Sequence, residues 1–236
     1  MTRILVSVRD EHEASLAAGA GADFIDLKEP SAGALGGLPL HRIEEIVRYL
    51  RSTHPKLPVS ATIGDWPADR PDAILTRVRQ VAASGVDYVK VGIVRHATAV
   101  ALIDALAHCD AAIVPVLIAD DGIDAALVAA TLAAKAFPAV MLDTAAKRGG
   151  SLLQRIDEPS LSRFVMEVQA TARMAGLAGA LREDDLAVIA RLGPDFAGFR
   201  SAVCDGDRSG PLQPARVERL RTRLATGSRD MAGAAH

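Results

Sequence analysis

Near its amino terminus the chain reads Ala22-Asp23-Phe24-Ile25-Asp26-Leu27-Lys28-Glu29-Pro30, an alternation of apolar and charged residues that stops at a proline. A period of two is typical of a β-strand, because successive side chains of a strand point to opposite faces. Ile25 and Leu27 therefore share one face, and Phe24, Asp26 and Lys28 share the other. Taken alone, this pattern also fits an edge strand with its charged face in water.

Two later segments also place charged residues at the end of a predicted strand. One reads Val86-Asp87-Tyr88-Val89-Lys90-Val91-Gly92, with Tyr88 and Lys90 on one face, and the other ends at Asp143 and is followed by Lys147. A buried ammonium group is costly unless a carboxylate pairs with it. We therefore expect the lysines and carboxylates of these strands to neutralise one another in one shared pocket.

Composition narrows the class of protein. Half of the 236 residues are hydrophobic but only 3% are aromatic, as expected where Ala-rich helices pack closely on a parallel sheet. A formal net charge of −2 gives no general attraction to nucleic acid or to an anionic membrane, and no apolar run is long enough to span a bilayer. Cys109 and Cys204 have no disulfide-framework or zinc-type spacing. We expect a cytoplasmic protein with a small-molecule partner, and Cys204 to be a buried small residue rather than a reactive thiol.

The order of predicted elements indicates the fold. Eight strands are predicted, each followed by a helix, and the strands lie near residues 4–8, 22–30, 58–63, 86–92, 112–118, 138–143, 176–181 and 195–203. The last three helices are predicted near 159–174, 183–192 and 214–224. Eight such units without a linker predict an α/β fold, a single-domain (β/α)₈ TIM barrel spanning 1–224, with 225–236 as a flexible C-terminal tail. A doubly wound open sheet is the alternative, but Val8-Arg9-Asp10 is not the Gly-rich turn expected there.

In such a barrel the active site lies at the carboxyl ends of the strands, where Lys28, Lys90, Asp143 and Lys147 fall. A lysine in that place either binds phosphate as a cation or, as a neutral amine, forms a Schiff base with a carbonyl. A neighbouring ammonium and partial desolvation lower the pKa of a lysine and so favour the neutral amine. Asp26 and Asp143 are placed to transfer protons.

The ends of the seventh and eighth strands predict a phosphate site. Gly179, Gly198 and Ser201 belong to small-residue segments whose backbone N–H groups can approach an anion, and Arg200 can add a charged fork. We expect no metal, because a turn and a helix cap account for the acidic residues Asp120, Asp121 and Asp124.

Three motifs, in this order along the chain, resemble those of the (5-formylfuran-3-yl)methyl phosphate synthase family. They are Asp26-Leu27-Lys28-Glu29-Pro30 with Gly33-Ala34-Leu35-Gly36, then Tyr88-Val89-Lys90-Val91-Gly92, and then Leu142-Asp143-Thr144-Ala145-Ala146-Lys147. The resemblance extends from Ile4 to about Leu224. It implies a carbon–oxygen lyase acting on phosphates, without metal or organic cofactor. Such an enzyme joins two molecules of glyceraldehyde 3-phosphate into a furan, with loss of phosphate and water, in methanofuran biosynthesis and hence one-carbon metabolism. It also implies that Lys28 forms the Schiff base and that the acids and lysines Asp26, Lys90, Asp143 and Lys147 complete the site.

Two other functions fit the same residues. One is another class I, lysine-dependent aldolase acting on sugar phosphates, which shares the covalent step but not the product. The other is a non-catalytic barrel that binds a phosphorylated metabolite and needs the lysines only as cations. Because Ala-rich helices pack readily on one another and barrels commonly associate, we expect a homo-oligomer in each case.

Overall fold

Every strand of the sheet is parallel to both of its neighbours, and the eighth strand pairs with the first, so that the sheet closes into a barrel in sequential strand order. The computed structural model describes residues 1–33, 35–145 and 150–233. The predicted (β/α)₈ barrel is confirmed. The strands are β1 (Arg3–Val8), β2 (Phe24–Leu27), β3 (Val59–Thr62), β4 (Tyr88–Ile93), β5 (Ile113–Ile118), β6 (Ala139–Asp143), β7 (Met174–Leu177) and β8 (Phe196–Phe199).

Helices connect these strands on the outside of the barrel. They are α1 (Glu11–Gly19), α2 (Leu40–Thr53), α3 (Pro71–Ala83), α4 (Ala99–Ala107), α5 (Ala125–Ala133), the short α6 (Leu152–Arg155), α7 (Glu158–Gln169), α8 (Leu186–Leu192) and α9 (Pro214–Gly233). Acidic caps begin several of them: Asp10 accepts a hydrogen bond from the backbone N–H of Glu13, and Asp124 accepts from those of Ala126 and Leu127. The predicted cap at Asp124 is therefore confirmed. Among the described residues, no helix is both long and apolar enough to cross a membrane.

The apolar side chains form two layers. Ile25 and Leu27 belong to the larger layer, between the strands and the helices, as the alternation in β2 predicts. Phe24 lies in a smaller cluster with Phe196, and the ring centroids of these two residues are 5.7 Å apart. The charged face of β2 therefore points into the barrel, and the edge-strand interpretation is wrong. Cys204 is buried as expected, and burial raises the pKa of its thiol.

Predicted element boundaries need correction in two parts of the chain. The first is the region of the seventh and eighth strands, where the strand predicted at 195–203 ends at Phe199 and residues 201–203 form a single 3₁₀ turn. The helix predicted to end at residue 174 ends at Gln169, because Ala172 has a positive φ and Met174 already pairs with Ala139 in the sheet. As a result β7 covers Met174–Leu177, whereas the strand was predicted at 176–181.

The second correction concerns the last helix. It extends to Gly233, nine residues beyond the predicted end at Leu224, and no proline interrupts 225–233. The boundary at 224 is thus not a boundary of secondary structure. Whether the residues beyond it are flexible stays a prediction.

Candidate active site

One pocket lies at the carboxyl ends of the strands. It is lined by all four charged residues predicted for the described part of the site and by all four predicted phosphate ligands: Asp26, Lys28, Lys90, Asp143, Gly179, Gly198, Arg200 and Ser201. Lys147, the fifth predicted catalytic residue, lies outside the described residues. The structure therefore brings together side chains that are up to 175 positions apart in the sequence, as the fold requires.

Lys28 follows directly on β2, and its backbone N–H donates to the carbonyl of Val8 at 2.9 Å, which continues the pairing with β1. Its side chain is buried, and its Nζ lies 3.9 Å from Oδ2 of Asp143. That distance is too long for a hydrogen bond. Within the ranges that the structure describes, the amine has no hydrogen-bond acceptor.

Asp143, the last residue of β6, is held by the chain itself. Its Oδ1 accepts a hydrogen bond of 2.7 Å from the backbone N–H of Thr144, and Oδ2 is the oxygen nearest Lys28. Burial raises the pKa of Asp143 and lowers the pKa of Lys28, while each residue's charge acts against the shift of the other. Burial therefore shifts both groups towards their neutral forms.

Asp26 and Lys90 form a different kind of pair. The Lys90 ammonium donates to Oδ2 of Asp26 at 3.0 Å, and both side chains are almost completely buried. Two hydroxyl groups also donate to Asp26, that of Ser60 at 2.7 Å and that of Ser7 at 3.1 Å. The Asp26 carboxylate thus accepts from two hydroxyl groups and from Lys90, and this network holds the Lys90 side chain in a fixed place in the same pocket as Lys28.

The turn after β7 forms another wall of the pocket. Gly179 has a φ of +107°, and a Cβ added there would lie 2.7 Å from Oγ1 of Thr144, so that glycine is needed for both conformation and space. Ala180 also has a positive φ. In the described part of the chain the backbone N–H groups of Gly179 and Ala180 have no acceptor within the protein. These features suit an anion, and the assignment of Gly179, Gly198 and Ser201 to phosphate stays a prediction.

Arg200 lines the same pocket, but its guanidinium group is engaged. It forms a two-pronged ion pair with the buried carboxylate of Glu13 and donates to the backbone carbonyls of Ser7, Arg208 and Gly210. Phosphate binding by this side chain, which stays a prediction, requires it to give up some of these partners.

Several residues of the pocket were not predicted as members of the site. Ser7 and Ser60 share the inward face of their strands with the charged residues, so alternation could have indicated them. Arg208 is a pocket residue from a loop after β8 that carries no sequence pattern of its own, and Glu13 acts from a helix. In the described ranges, His, Cys, Asp and Glu form no group able to hold a metal ion.

Comparison with known proteins gives a consistent result. Residues 4–221 match the model of a family described as 4-HFC-P synthase. A protein of Methylorubrum extorquens, provisionally named (5-formylfuran-3-yl)methyl phosphate synthase, is 38% identical over 228 residues, or 96% of this chain and 93% of that protein. The Methanococcus aeolicus protein named (5-formylfuran-3-yl)methyl phosphate synthase is 33% identical over 246 residues, with 92% of this chain and 97% of the relative covered.

Solved structures show the fold. Phosphoribosyl anthranilate isomerase from Thermus thermophilus superposes with a TM-score of 0.66, covering 95% of this chain and 99% of that one. The two sequences are only 15% identical, so this likeness concerns the barrel alone.

Proposed function

The chain belongs to the 4-HFC-P synthase family, and from this premise we propose that it condenses two molecules of glyceraldehyde 3-phosphate into (5-formylfuran-3-yl)methyl phosphate, with loss of phosphate and water. The product would enter methanofuran biosynthesis in the cytoplasm. One observation carries the proposal: a buried lysine amine without a hydrogen-bond acceptor in the described ranges lies 3.9 Å from a buried carboxyl group.

The first step would be covalent. The neutral Lys28 amine attacks the aldehyde carbon of one triose phosphate, and a carbon–nitrogen bond forms. Asp143, as the acid, protonates the oxygen that leaves as water, so that a protonated Schiff base results. The resulting Asp143 carboxylate then removes the proton from the adjacent carbon and generates an enamine.

In the product, the new carbon–carbon bond joins C3 of the triose that loses its phosphate to C2 of the triose that keeps it. The enamine on Lys28 would therefore expel its own C3 phosphate, and C3 of the enol that results would attack the C2 carbonyl of the second triose phosphate after its isomerisation to the ketone. The Lys90 ammonium, held by Asp26, stabilises the oxyanion that develops on that carbonyl. The C1 hydroxyl of the second triose then closes the ring on C2 of the first, two molecules of water are lost, and hydrolysis of the Schiff base releases the formyl group from Lys28. Asp26 supports this chemistry through Lys90 rather than by proton transfer, because Ser7, Ser60 and Lys90 already occupy its oxygens.

The test is to incubate the protein with glyceraldehyde 3-phosphate and borohydride, and to locate any adduct by intact-mass measurement and peptide mapping. We expect one reduced triose on Lys28. Lys28→Arg keeps the positive charge but lacks a usable nucleophile, so we expect it to lose the adduct and to lower turnover by more than about a thousandfold. Lys56→Arg, at an exposed position, is the matched control and should behave as the unaltered protein.

The two alternatives give different results. A different class I aldolase would form the adduct but would not convert glyceraldehyde 3-phosphate alone into a product with the ultraviolet absorbance of a conjugated furaldehyde. A binding protein would form no adduct, and Lys28→Arg would preserve its affinity for the triose phosphate. An adduct-free but folded unaltered protein would contradict the Schiff-base mechanism.

A further inference from the structure

A second arginine at the pocket differs from Arg200 in how its donors are used. Arg208 lines the pocket together with Lys28 and Asp143. Its Nη2 donates to the carbonyl of Gly33 at 3.0 Å, but its buried Nε has no partner among the described residues. Burial lowers the pKa of its guanidinium, against the effect of the Asp143 charge. Arg208 is therefore a partly desolvated cation with unused donors that face the site.

The loop that carries Arg208 is held by a β-bridge at its base and by hydrogen bonds from arginine side chains to its backbone carbonyls. Cys204 and Leu212 form an antiparallel bridge at the base of its loop. Arg200 donates to the carbonyl of Arg208 at 2.7 Å and to that of Gly210 at 3.2 Å, and Arg9 donates to that of Ser209 at 2.8 Å. A loop fixed by several charged donors presents its side chain to the pocket in one position.

One buried carboxylate holds the two supporting arginines. Glu13 is only 3% exposed, and it pairs with Arg200 through both of its oxygens and with Arg9 at 3.2 Å. Arg9 and Arg200 therefore use their N–H groups to hold Glu13 and the loop, whereas Arg208 keeps N–H groups that have no acceptor among the described residues.

The direction of the Arg208 side chain indicates what it meets. The chain leaves the end of β8, and the guanidinium reaches Gly33 in the loop after β2, so it crosses above β1. Lys28 stands at the end of β2, whereas the turn at Gly179 lies on the opposite side of β8, after β7. Arg208 therefore lies on the side of the pocket next to Lys28, where it can reach the phosphate of a triose attached to that lysine, apart from the predicted phosphate site at β7 and β8.

We propose that Arg208 binds the phosphate group of the triose phosphate that forms the Schiff base on Lys28, and that Arg9, Arg200 and Glu13 are positioning residues for its loop. This assignment rests on the proposed function. A guanidinium with unused N–H groups suits a phosphate dianion, which accepts two parallel hydrogen bonds from it. The other triose phosphate is then left for the backbone N–H groups after β7 and β8.

The experiment measures trapping on Lys28 rather than overall turnover, so that only the first triose is involved. The initial rate of borohydride trapping is recorded against the concentration of glyceraldehyde 3-phosphate and, separately, of glyceraldehyde. We expect Arg208→Gln to raise the half-saturating concentration of the phosphorylated substrate by at least about tenfold. Trapping of glyceraldehyde should change much less than trapping of the phosphorylated substrate, because only the effect of the Arg208 charge on the Lys28 amine is lost; it also shows that the variant is folded and that Lys28 still reacts. Arg163→Gln, the same change at an exposed position on α7, is the matched control.

Two results would overturn the assignment. One is an unchanged half-saturating concentration for glyceraldehyde 3-phosphate in Arg208→Gln. The other is normal trapping with slow furan formation, which would place Arg208 on the second triose.

If the unaltered protein formed no adduct, the proposed function would fail, but the anion site could still exist. A separate measurement therefore tests the anion site without Schiff-base formation. Inorganic phosphate is titrated by calorimetry into the unaltered protein and into Arg208→Gln. We expect the variant to bind one phosphate fewer per chain, and superimposable isotherms would overturn the anion site itself.

Discussion

Among the described residues, two buried lysines share the pocket, and their surroundings differ. Lys90 donates a hydrogen bond to the buried carboxylate of Asp26 at 3.0 Å. Lys28 faces Asp143 at 3.9 Å, and its pKa is lowered by burial and also by the Lys90 charge. The proposed nucleophile is therefore the less tightly paired lysine, and the charge of the other is one of the causes that lower its pKa.

The pH dependence of Lys28 follows from the direction of its pKa shift. Because the pKa is lowered from 10.5, the neutral amine forms at a lower pH than in an ordinary lysine, and reactivity rises with pH through that lower midpoint. Competitive labelling with a trace of acetic anhydride, followed by peptide mass spectrometry, gives the labelling of each lysine as a function of pH. We expect a lower midpoint for Lys28 than for exposed Lys56 in the same sample. Equal midpoints would contradict the desolvated site.

The sequence was sufficient to place the charged residues of β2, β4 and β6 in one pocket, because alternation assigns each side chain to a face and parallel strands end at one edge. It could not separate the roles of Arg200 and Arg208. That distinction depends on Glu13, which lies 187 positions from Arg200 and pairs with it only after the barrel closes. Local sequence patterns carry no information about such a pair.

One carboxylate inside the barrel accepts hydrogen bonds from side chains of three other strands. Asp26 on β2 accepts from Ser7 on β1, from Ser60 on β3 and from Lys90 on β4, so four consecutive strands are tied through one side chain. The pairing with Lys90 passes over β3, which lies between the two charged strands. This network fixes the angular position of Lys90 relative to Lys28 at the same edge of the sheet.

Breaking this network from one side should cost more than removing the ion pair altogether. Asp26→Asn leaves the buried Lys90 ammonium without a carboxylate, and we expect the free energy of unfolding to fall by about 3 to 5 kcal/mol. The double change Asp26→Leu with Lys90→Met removes both charges, and its loss should be smaller, although the hydroxyls of Ser7 and Ser60 lose an acceptor. Urea unfolding of Asp26→Asn, of the single variants Asp26→Leu and Lys90→Met, and of the double variant measures this. Losses that simply add would contradict a coupled pair.

At the carboxyl end of β7, strand propensity and local geometry disagree. The small apolar residues 176–181 suggest a strand, but pairing with β6 stops at Leu177, and the chain then turns at Gly179 and Ala180 with positive φ. This turn lines the pocket, and the backbone N–H groups of Gly179 and Ala180 have no acceptor in the described part of the chain. The predicted phosphate-binding segment depends on this turn. The small residues of 176–181 indicated that a turn is present, but the sequence has no periodicity that shows where the strand ends and the turn begins.

The barrel as a whole is completed by its last helix. α9 packs against α8, α1 and β1, and so covers the place where β8 returns to β1. Three of its side chains, Val217, Leu220 and Leu224, are almost completely buried. Because these residues fall at a spacing of three and four, one face of the helix serves the core, and the amphipathic pattern of 214–224 predicted the helix correctly.

The stability of the molecule should therefore depend on the first part of α9 and little on its end. Leu224 is the last buried apolar side chain of the described core, so a chain that ends at Thr226 should keep its thermal midpoint within about 2 °C. Leu220→Ala, in contrast, removes a buried side chain and should cost about 2 to 5 kcal/mol in unfolding free energy. Calorimetric melting of both variants beside the full chain makes the comparison. If the truncated chain melted as early as Leu220→Ala, the part of the helix beyond Thr226 would belong to the folded barrel, and the proposed tail would be part of the domain.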